Sequence, residues 1–261
     1  MSLFLMLKKA FKPVADKFGL SIVERNRYQM CFAESSYRKL TIDMFTPGYL
    51  EISYFESKLG NFTMRDFMKN LDDTNCIKYN NESELTLSIE KLVRVFEAQI
   101  MPYIEFIRPL VVVITPEMYK LLSINTTEKA NSFINEHCLS VDNKPENYRY
   151  EENILASVRG ENRLLQKVSF TENIGTILGA ASYLGKIKRK YHMPAQWVWY
   201  DSPEYINEDG IMSRDVEYCV VSDNYIQFDP LDHIISFWNH YPTISKYSLE
   251  SYRNYYEHLE I

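Results

Sequence analysis

Long apolar runs are absent from this chain of 261 residues. No uninterrupted run exceeds five residues, the length of Leu110–Ile114, whereas a membrane-spanning helix needs ~20. At the N-terminus, Leu3–Leu7 is followed at once by Lys8 and Lys9, with no basic residue before it and no small-residue cleavage site after it. That order differs from the order in a secretory signal. The sequence therefore predicts no membrane partner and a cytoplasmic protein.

Cysteine motifs are also missing. Cys31, Cys76, Cys138 and Cys219 show no C-x-x-C spacing, and three of them have apolar or aromatic neighbours. Free cysteines in such surroundings behave as small buried hydrophobic residues. The pattern predicts buried free thiols in a reducing compartment.

Signatures of catalysis are missing as well. The chain contains no H-E-x-x-H and no G-x-S-x-G motif. Cys138 directly follows His137, and adjacent helical residues point about 100° apart, so these two cannot act together as nucleophile and base. Neighbouring carboxylates, such as Glu151 and Glu152, stand in polar stretches where we expect them to be solvated. The sequence predicts no catalytic residue.

A glycine pattern imitates a phosphate-binding loop. Gly179 and Gly185 precede Lys186, but their spacing is wrong and Ile187 follows where Ser or Thr is required. The glycines also lie within a helical pattern. We interpret them as points of close helix packing, and we expect no cofactor.

Three potential metal ligands fall on one side of a predicted helix. Asp229, His233 and His240 lie opposite Leu231 and Trp238. We therefore expect the two histidines to face solvent, and a solvated polar face is favoured over a metal site.

Charge is unevenly distributed along the chain, whose formal net charge is −6. Residues 1–101 hold 14 Lys and Arg against 13 Asp and Glu, and the remaining residues hold 15 against 22. An acidic surface repels nucleic-acid phosphates and attracts basic proteins. The balance disfavours a nucleic-acid partner and permits a basic protein partner.

The first 101 residues have the pattern of a helix, an antiparallel meander and a second helix. Gly19 is placed to stop the first helix, and Asn81 with Glu84 forms a capping box before the second, which we expect to end at Met101-Pro102. The predicted strands between them are Tyr28–Ala33, Leu40–Phe45 and Tyr49–Phe55.

From residue 102 on, the pattern predicts two helices, a polar loop or lid, a Gly/Ala-rich helix, two strands and two further helices. In order these are Pro116–Leu122, Thr126–Cys138, Leu139–Arg149, about Thr171–Tyr191, Gln196–Tyr200, Tyr218–Phe228, a helix capped by Asp229 and a helix around Tyr252–Leu259. We expect Tyr218–Phe228 to be broken into a hairpin at Ser222-Asp223-Asn224. The predicted fold class is α+β, as two modules, residues 1–101 and 102–261, each an antiparallel sheet covered by helices.

One segment combines aromatic and acidic side chains in the way that protein-binding sites do. The predicted partner-binding residues are Tyr200, Asp201, Glu204, Tyr205, Glu208 and Asp209. Strand alternation gives the competing interpretation for the tryptophans just before them, since Trp197 and Trp199 would share one buried face.

Two parts of the chain resemble bacterial proteins. Ile177–Gly185, Trp197–Trp199 and Ile226–Pro230 resemble a pattern in uncharacterised bacterial proteins, in which a G-A-Y-L-G-E helix precedes a tryptophan strand and a V-x-P-F helix start. Lys186 stands where that pattern often has glutamate, so a role of that acid does not carry over. The layout of the first 100 residues is similar to that of immunity-type proteins of polymorphic toxin systems.

The sequence thus favours a non-enzymatic, cytoplasmic protein-interaction module, and the resemblance implies an immunity protein that neutralises a toxin. The alternative hypothesis is a hydrolase or small-molecule-binding enzyme whose site lies between the two modules, under the Leu139–Arg149 loop. A structural or phage-related accessory protein is a third hypothesis, which sequence does not separate from the first.

Overall fold

The computed structural model describes residues 3–26, 29–35, 38–43, 48–56, 59–67, 77–191, 196–200, 218–222, 227–242, 244 and 247–251. Contacts divide these residues into two compact units, one up to Pro109 and one from Leu110 on. Helices and antiparallel strands occur together, which confirms the α+β class. Each described helix is too short or too polar to span a bilayer. The module boundaries, residues 1–101 and 102–261, stay a prediction.

The first unit contains an antiparallel sheet in the order β1-β2-β3-β4-β5, with β6 paired to β4. Its elements are α1 (Leu3–Lys17), β1 (Ser21–Asn26), β2 (Gln29–Ser35), β3 (Arg38–Asp43), β4 (Tyr49–Glu56), β5 (Gly60–Thr63), a 3-10 turn (Met64–Asp66), β6 (Ile77–Lys78), α2 (Glu82–Val95), a π-helical turn (Phe96–Ile100) and α3 (Met101–Ile107). The predicted meander is confirmed as β2, β3 and β4. The flanking strands β1, β5 and β6 were not predicted.

One face of this sheet is covered. Along β4, alternate residues are buried, from Leu50 through Ile52 and Tyr54 to Glu56. Leu7 and Phe11 of α1 are fully buried in the same unit. The alternation of apolar and polar residues in the sequence therefore identified the covered face correctly.

Glu56 is the one charged residue of that buried row, and two arginines surround its carboxylate. Arg108 donates to both oxygens, at 2.8 and 2.9 Å, and Tyr54 donates to one of them at 2.8 Å. Arg38 Nε lies 3.7 Å from the same carboxylate. Burial alone would raise the pKa of Glu56, but these hydrogen bonds and charges outweigh it and lower the pKa.

The helix that begins after Asn81 does not end at Pro102, so that prediction was wrong. Asn81 caps the helix as expected, accepting from the Glu84 N–H at 2.9 Å. Helical structure then continues through the π-helical turn into α3, and the Met101 N–H bonds to the Phe96 carbonyl five residues back. The wider turn accommodates Pro102, which has no N–H to offer and would crowd a regular α-helix.

The second unit is mainly helical, with a three-stranded antiparallel sheet in the order β7-β8-β9. Its elements are α4 (Pro116–Ser123), α5 (Thr126–His137), α6 (Pro145–Arg159), a 3-10 turn (Arg163–Leu165), α7 (Gln166–Glu172), α8 (Ile174–Tyr191), β7 (Gln196–Tyr200), β8 (Tyr218–Ser222), β9 (Gln227–Phe228) and α9 (Pro230–His240). The predicted helices α4, α5, α8 and α9 and the hairpin of β8 and β9 are confirmed, whereas α6 and α7 were not predicted. The predicted final helix, around Tyr252–Leu259, lies outside the described residues.

Helix α8 lies at the centre of this unit, and two of its glycines allow aromatic rings to approach closely. A Cβ atom on Gly179 would lie 3.1 Å from Cδ2 of Phe133, which belongs to α5. A Cβ atom on Gly185 would overlap the indole ring of Trp197 in β7. Both glycines are therefore packing positions, but the expectation of close helix packing holds only for Gly179, because the ring at Gly185 comes from a strand and both close contacts are made by side chains.

Candidate functional site

Most of the predicted partner-binding segment lies outside the described residues. This holds for Asp201, Glu204, Tyr205, Glu208 and Asp209, and Tyr200 is described only by its backbone, as the last residue of β7. Tyr200 pairs with Tyr218, the first residue of β8. Residues 201–217 therefore connect two strand ends that are paired with each other.

The strands at the base of this connection are held by the helical core. Trp197 of β7 is partly buried and contacts Gly185 of α8, and Phe228 of β9 is 1% exposed. Partial burial of Trp197 agrees with the predicted buried face, while the side chain of Trp199 lies outside the described part of the chain. Packing thus fixes the sheet at the row of Trp197, Val221 and Phe228, three residues along the strands from the Tyr200–Tyr218 pair.

The start of α9 is fixed immediately after β9. Asp229 accepts from the Asp232 N–H at 3.0 Å, and Pro230 occupies the first helical position, as the sequence predicts. The other carboxylate oxygen of Asp229 accepts a hydrogen bond from the Tyr119 hydroxyl. Asp229 therefore serves as a helix cap held by a second helix.

The expectation that His233 and His240 face solvent was wrong. His233 is 9% exposed and His240 is 2% exposed, because α9 is buried on nearly all sides rather than along one stripe. Burial, followed by the charge of Lys188, lowers the pKa of His233 to about 3, so its imidazole is neutral at pH 7. Within the described ranges, no group of three or more His, Cys, Asp or Glu side chains could hold a metal ion.

The predicted loop or lid at Leu139–Arg149 was also wrong. Pro145 is the first residue of α6, so the connection spans only Leu139 to Lys144. It is held by α8: the Tyr183 hydroxyl donates to the Ser140 carbonyl at 2.7 Å, and Lys190 Nζ donates to the Val141 carbonyl at 2.7 Å.

A second helix, α6, holds the same connection. Asn147 Nδ2 donates to the Asp142 carbonyl at 2.7 Å, and the Tyr148 hydroxyl donates to Asn143 at 2.5 Å. A segment with this many hydrogen bonds to the core does not have the properties of a lid.

Glu151 contradicts the expectation that the adjacent carboxylates are solvated. Its side chain is 0% exposed, and neither carboxylate oxygen has a hydrogen-bond partner among the described residues. Burial, and to a lesser extent the charge of Glu152, raises the pKa of Glu151 well above the ordinary value of 4.5. The prediction failed because α6 turns Glu151 inward, on the same face as Tyr148 and Leu155.

Cys138 is exposed, which corrects the predicted burial of this thiol. It follows α5 in the left-handed conformation, with φ of 53°, and its N–H bonds to the Ile134 carbonyl. At that position the side chain points away from the helix rather than into the core. The side chains of the other three cysteines lie outside the described ranges.

A groove lies beside Cys138, between the end of α5 and one face of α6. Its volume is about 590 Å³. The α5 side consists of His137, Cys138 and Leu139, and the α6 side includes Tyr150, Ile154 and Val158. The groove was not predicted, because five of its eight lining residues lie in α6 between Tyr150 and Val158, a stretch for which the sequence pattern predicts no element. No protein-family model, curated protein or solved structure matches the chain.

Proposed function

We propose that the chain is a non-enzymatic, cytoplasmic protein that binds another protein through the connection between β7 and β8. The observation that supports this proposal is the register of the two strands, in which Tyr200 and Tyr218 are direct partners. A connection of 17 residues, 201–217, starts and ends at that pair. Connections longer than about 12 to 15 residues in compact proteins are usually functional or disordered.

The composition of the connection indicates a basic protein surface as the partner. Residues 201–217 contain six Asp and Glu and a single basic residue, Arg214. Acidic side chains speed the approach of a positively charged partner, and an aromatic residue such as Tyr205 supplies the apolar contact on which interface energy usually depends. The same charge disfavours nucleic acid and anionic membranes as partners.

The base of the connection is compatible with such a role. Because Trp197 contacts Gly185 and Phe228 is buried, the helical core fixes these strands three residues from the Tyr200–Tyr218 pair. Ordering of flexible groups is one of the main costs of association, so strands that are already packed against the core do not add to that cost.

The resemblance to immunity-type proteins gives this proposal a specific form, in which the chain neutralises a basic toxin encoded next to it. The test is co-expression with the product of the adjacent gene. We expect the two proteins to co-purify and the chain to protect the cells. If the two proteins do not co-purify and the chain does not protect the cells, the proposal is contradicted.

A matched pair of variants tests where the partner binds. Glu204→Lys combined with Glu208→Lys reverses two charges in the connection, and we expect affinity to fall by about tenfold or more. Glu128→Lys combined with Glu172→Lys makes the same change at two exposed positions of α5 and α7. If both double variants lose affinity equally, the net charge and not the connection determines binding.

A further inference from the structure

We propose that the groove between the end of α5 and α6 is a binding site for a small, uncharged organic molecule. This site is separate from the connection between β7 and β8, and it requires no catalytic step. Its volume of about 590 Å³ lies within the ~300–1,000 Å³ that is common for small-molecule sites.

The groove exists because α5 stops short of covering α6. The left-handed conformation of Cys138 ends α5, and the Leu139 N–H then bonds to the Ile134 carbonyl at 3.0 Å, which turns the chain away. The face of α6 that carries Tyr150, Ile154 and Val158 is left beside this turn. The short connection to α6 is held by hydrogen bonds from α6 and α8, so the groove belongs to the fixed part of the unit.

The wall combines apolar and hydrogen-bonding groups in the manner of ligand sites. Leu139, Ile154 and Val158 are partly buried and packed against the hydrophobic core. Asn153 and Ser157 contribute exposed polar groups on the same side of α6. The ligand that fits this wall has an apolar body and one or two groups that form hydrogen bonds with an amide or a hydroxyl.

Tyr150 extends the apolar surface, since its side chain is 58% exposed beside the groove. On the opposite wall, the His137 ring is held edge-on against Phe133, with ring centroids 4.7 Å apart. Two flat rings on facing walls favour a flat, aromatic ligand.

The charge of the wall determines which ligands are excluded. None of the described side chains that line the groove is a lysine, an arginine or a carboxylate. An anion or a cation would lose its hydration on entry without gaining an opposite charge, which costs free energy. The groove is therefore expected to prefer a neutral molecule over a charged molecule of the same shape.

Two fluorescent probes with nearly the same ring skeleton test this preference. N-phenyl-1-naphthylamine is uncharged, and 1-anilinonaphthalene-8-sulfonate carries a sulfonate on the same skeleton. We expect the full chain to bind the neutral probe saturably and about tenfold or more tighter than the sulfonate. Equal affinity for the two probes, or no saturable binding of the neutral one, would overturn the proposal.

Variants at Ser157 locate the binding. Ser157→Trp fills the groove and should weaken the neutral probe by about tenfold or more. Ser123→Trp makes the same change at an exposed position at the end of α4, outside the groove, and should leave affinity unchanged. Equal effects of both variants would place the probe elsewhere and refute the assignment.

A charge substitution gives an independent result that a purely apolar patch would not give. Ser157→Lys places a cation in the groove, so binding of the sulfonate should strengthen while binding of the neutral probe weakens. Ser123→Lys adds the same charge to the protein at a distance from the groove and should change neither. Failure of Ser157→Lys to shift the preference would contradict the argument from charge, and none of these results depends on the protein partner proposed above.

Discussion

Protonation of Glu151 should make the stability of the protein depend on pH. The carboxyl group is completely buried, and both of its oxygens have no hydrogen-bond partner among the described residues. The two nearby hydroxyls are engaged elsewhere, since Tyr148 donates to Asn143 and Tyr183 donates to the Ser140 carbonyl. The folded protein therefore holds this carboxyl in its neutral form at pH values where the unfolded chain has lost the proton.

The sign and size of the effect follow from this difference. Burial first, and then the charge of Glu152, raises the pKa of Glu151 in the folded state well above 4.5. Between the unfolded and the folded pKa, the folded state binds one more proton, so the free energy of unfolding falls by about 1.4 kcal/mol per pH unit. The stabilisation that comes from the extra proton on Glu151 is fully present below pH 4.5. It is lost as the pH rises to the folded pKa, and above that pKa this group no longer changes the free energy of unfolding.

Glu151→Gln removes this dependence, because an amide of nearly the same shape does not ionise. The amide adds unpaired N–H groups, which shift the stability by a constant amount at every pH. The quantity to measure is therefore the difference in the free energy of unfolding between variant and wild type, by urea denaturation from pH 4 to pH 8.5 at fixed ionic strength. That difference should rise in favour of the variant by up to about 1.4 kcal/mol per pH unit and then level off.

A control substitution separates burial from the loss of a charge. Glu146→Gln makes the same chemical change on the exposed side of α6. A second measurement, titration of the Glu151 carboxyl carbon by nuclear magnetic resonance, reports the proton directly. A flat difference between Glu151→Gln and wild type across the whole range, or a carboxyl that titrates near its ordinary value, would refute the reasoning.

Two further predictions concern packing and charge. Gly185→Ala should destabilise the protein by about 1–3 kcal/mol, because its Cβ would overlap Trp197; Gly175→Ala in the same helix has open space and should be neutral or stabilise by up to about 1 kcal/mol. Equal losses from the two substitutions would show that the overlap with Trp197 does not cause the loss of stability in Gly185→Ala. Glu56→Gln should cost about 1.5–3 kcal/mol at pH 7 through its hydrogen bonds with Arg108. Since the pKa of Glu56 is lowered, this loss should shrink as the pH falls below 4.5, and a loss that grows on acidification would contradict it.

Local signals in the sequence predicted the helix starts well. Asn81 and Asp229 are followed by residues that complete a cap, and both accept a backbone N–H three residues on, at 2.9 and 3.0 Å. The strand alternation in β4 likewise depends only on neighbours in the sequence. These features are predictable because the atoms that satisfy them lie within a few residues of each other.

Helix α6 was missed because polar residues form much of its buried face. Asn147, Tyr148 and Glu151 take positions where apolar residues are expected, so the helical period of hydrophobicity is weak. The connection at Leu139–Lys144 makes Asn147 and Tyr148 acceptable inside, because its carbonyls and side chains accept their hydrogen bonds, whereas Glu151 has no such partner among the described residues. Pro145 at the first helical position was the available signal, but it was interpreted as part of a loop.

The prediction for the histidines of α9 was wrong for a related reason. A helix at the surface hides one stripe, and the prediction for His233 and His240 assumed such a helix. In the folded unit α9 is buried on nearly all sides, so the helix has no solvent-exposed side at those two positions. Enclosure is a property of the whole unit, which the sequence of one helix does not contain.

Buried polar groups in the second unit differ in whether the fold uses them. Arg159 donates to the Trp238 carbonyl at 2.9 Å and to Gln166 at 2.9 Å, so it ties α6 to α7 and α9. Asn239 bonds to both the N–H and the carbonyl of Val112, at 2.9 Å each. Contacts of this kind explain why these side chains are polar without invoking a ligand.

Structural roles therefore account for much of the polar interior among the described residues, and Glu151 is an exception that the pH experiment addresses. Recognition is better sought where polar and aromatic groups are held in place but not used by the fold. Within the described residues the groove at Cys138 meets that condition, since Asn153 and Ser157 line it beside a packed apolar floor. The connection between β7 and β8 is the other place that we propose for recognition, because strand pairing joins Tyr200 and Tyr218 at its two ends and its composition is acidic.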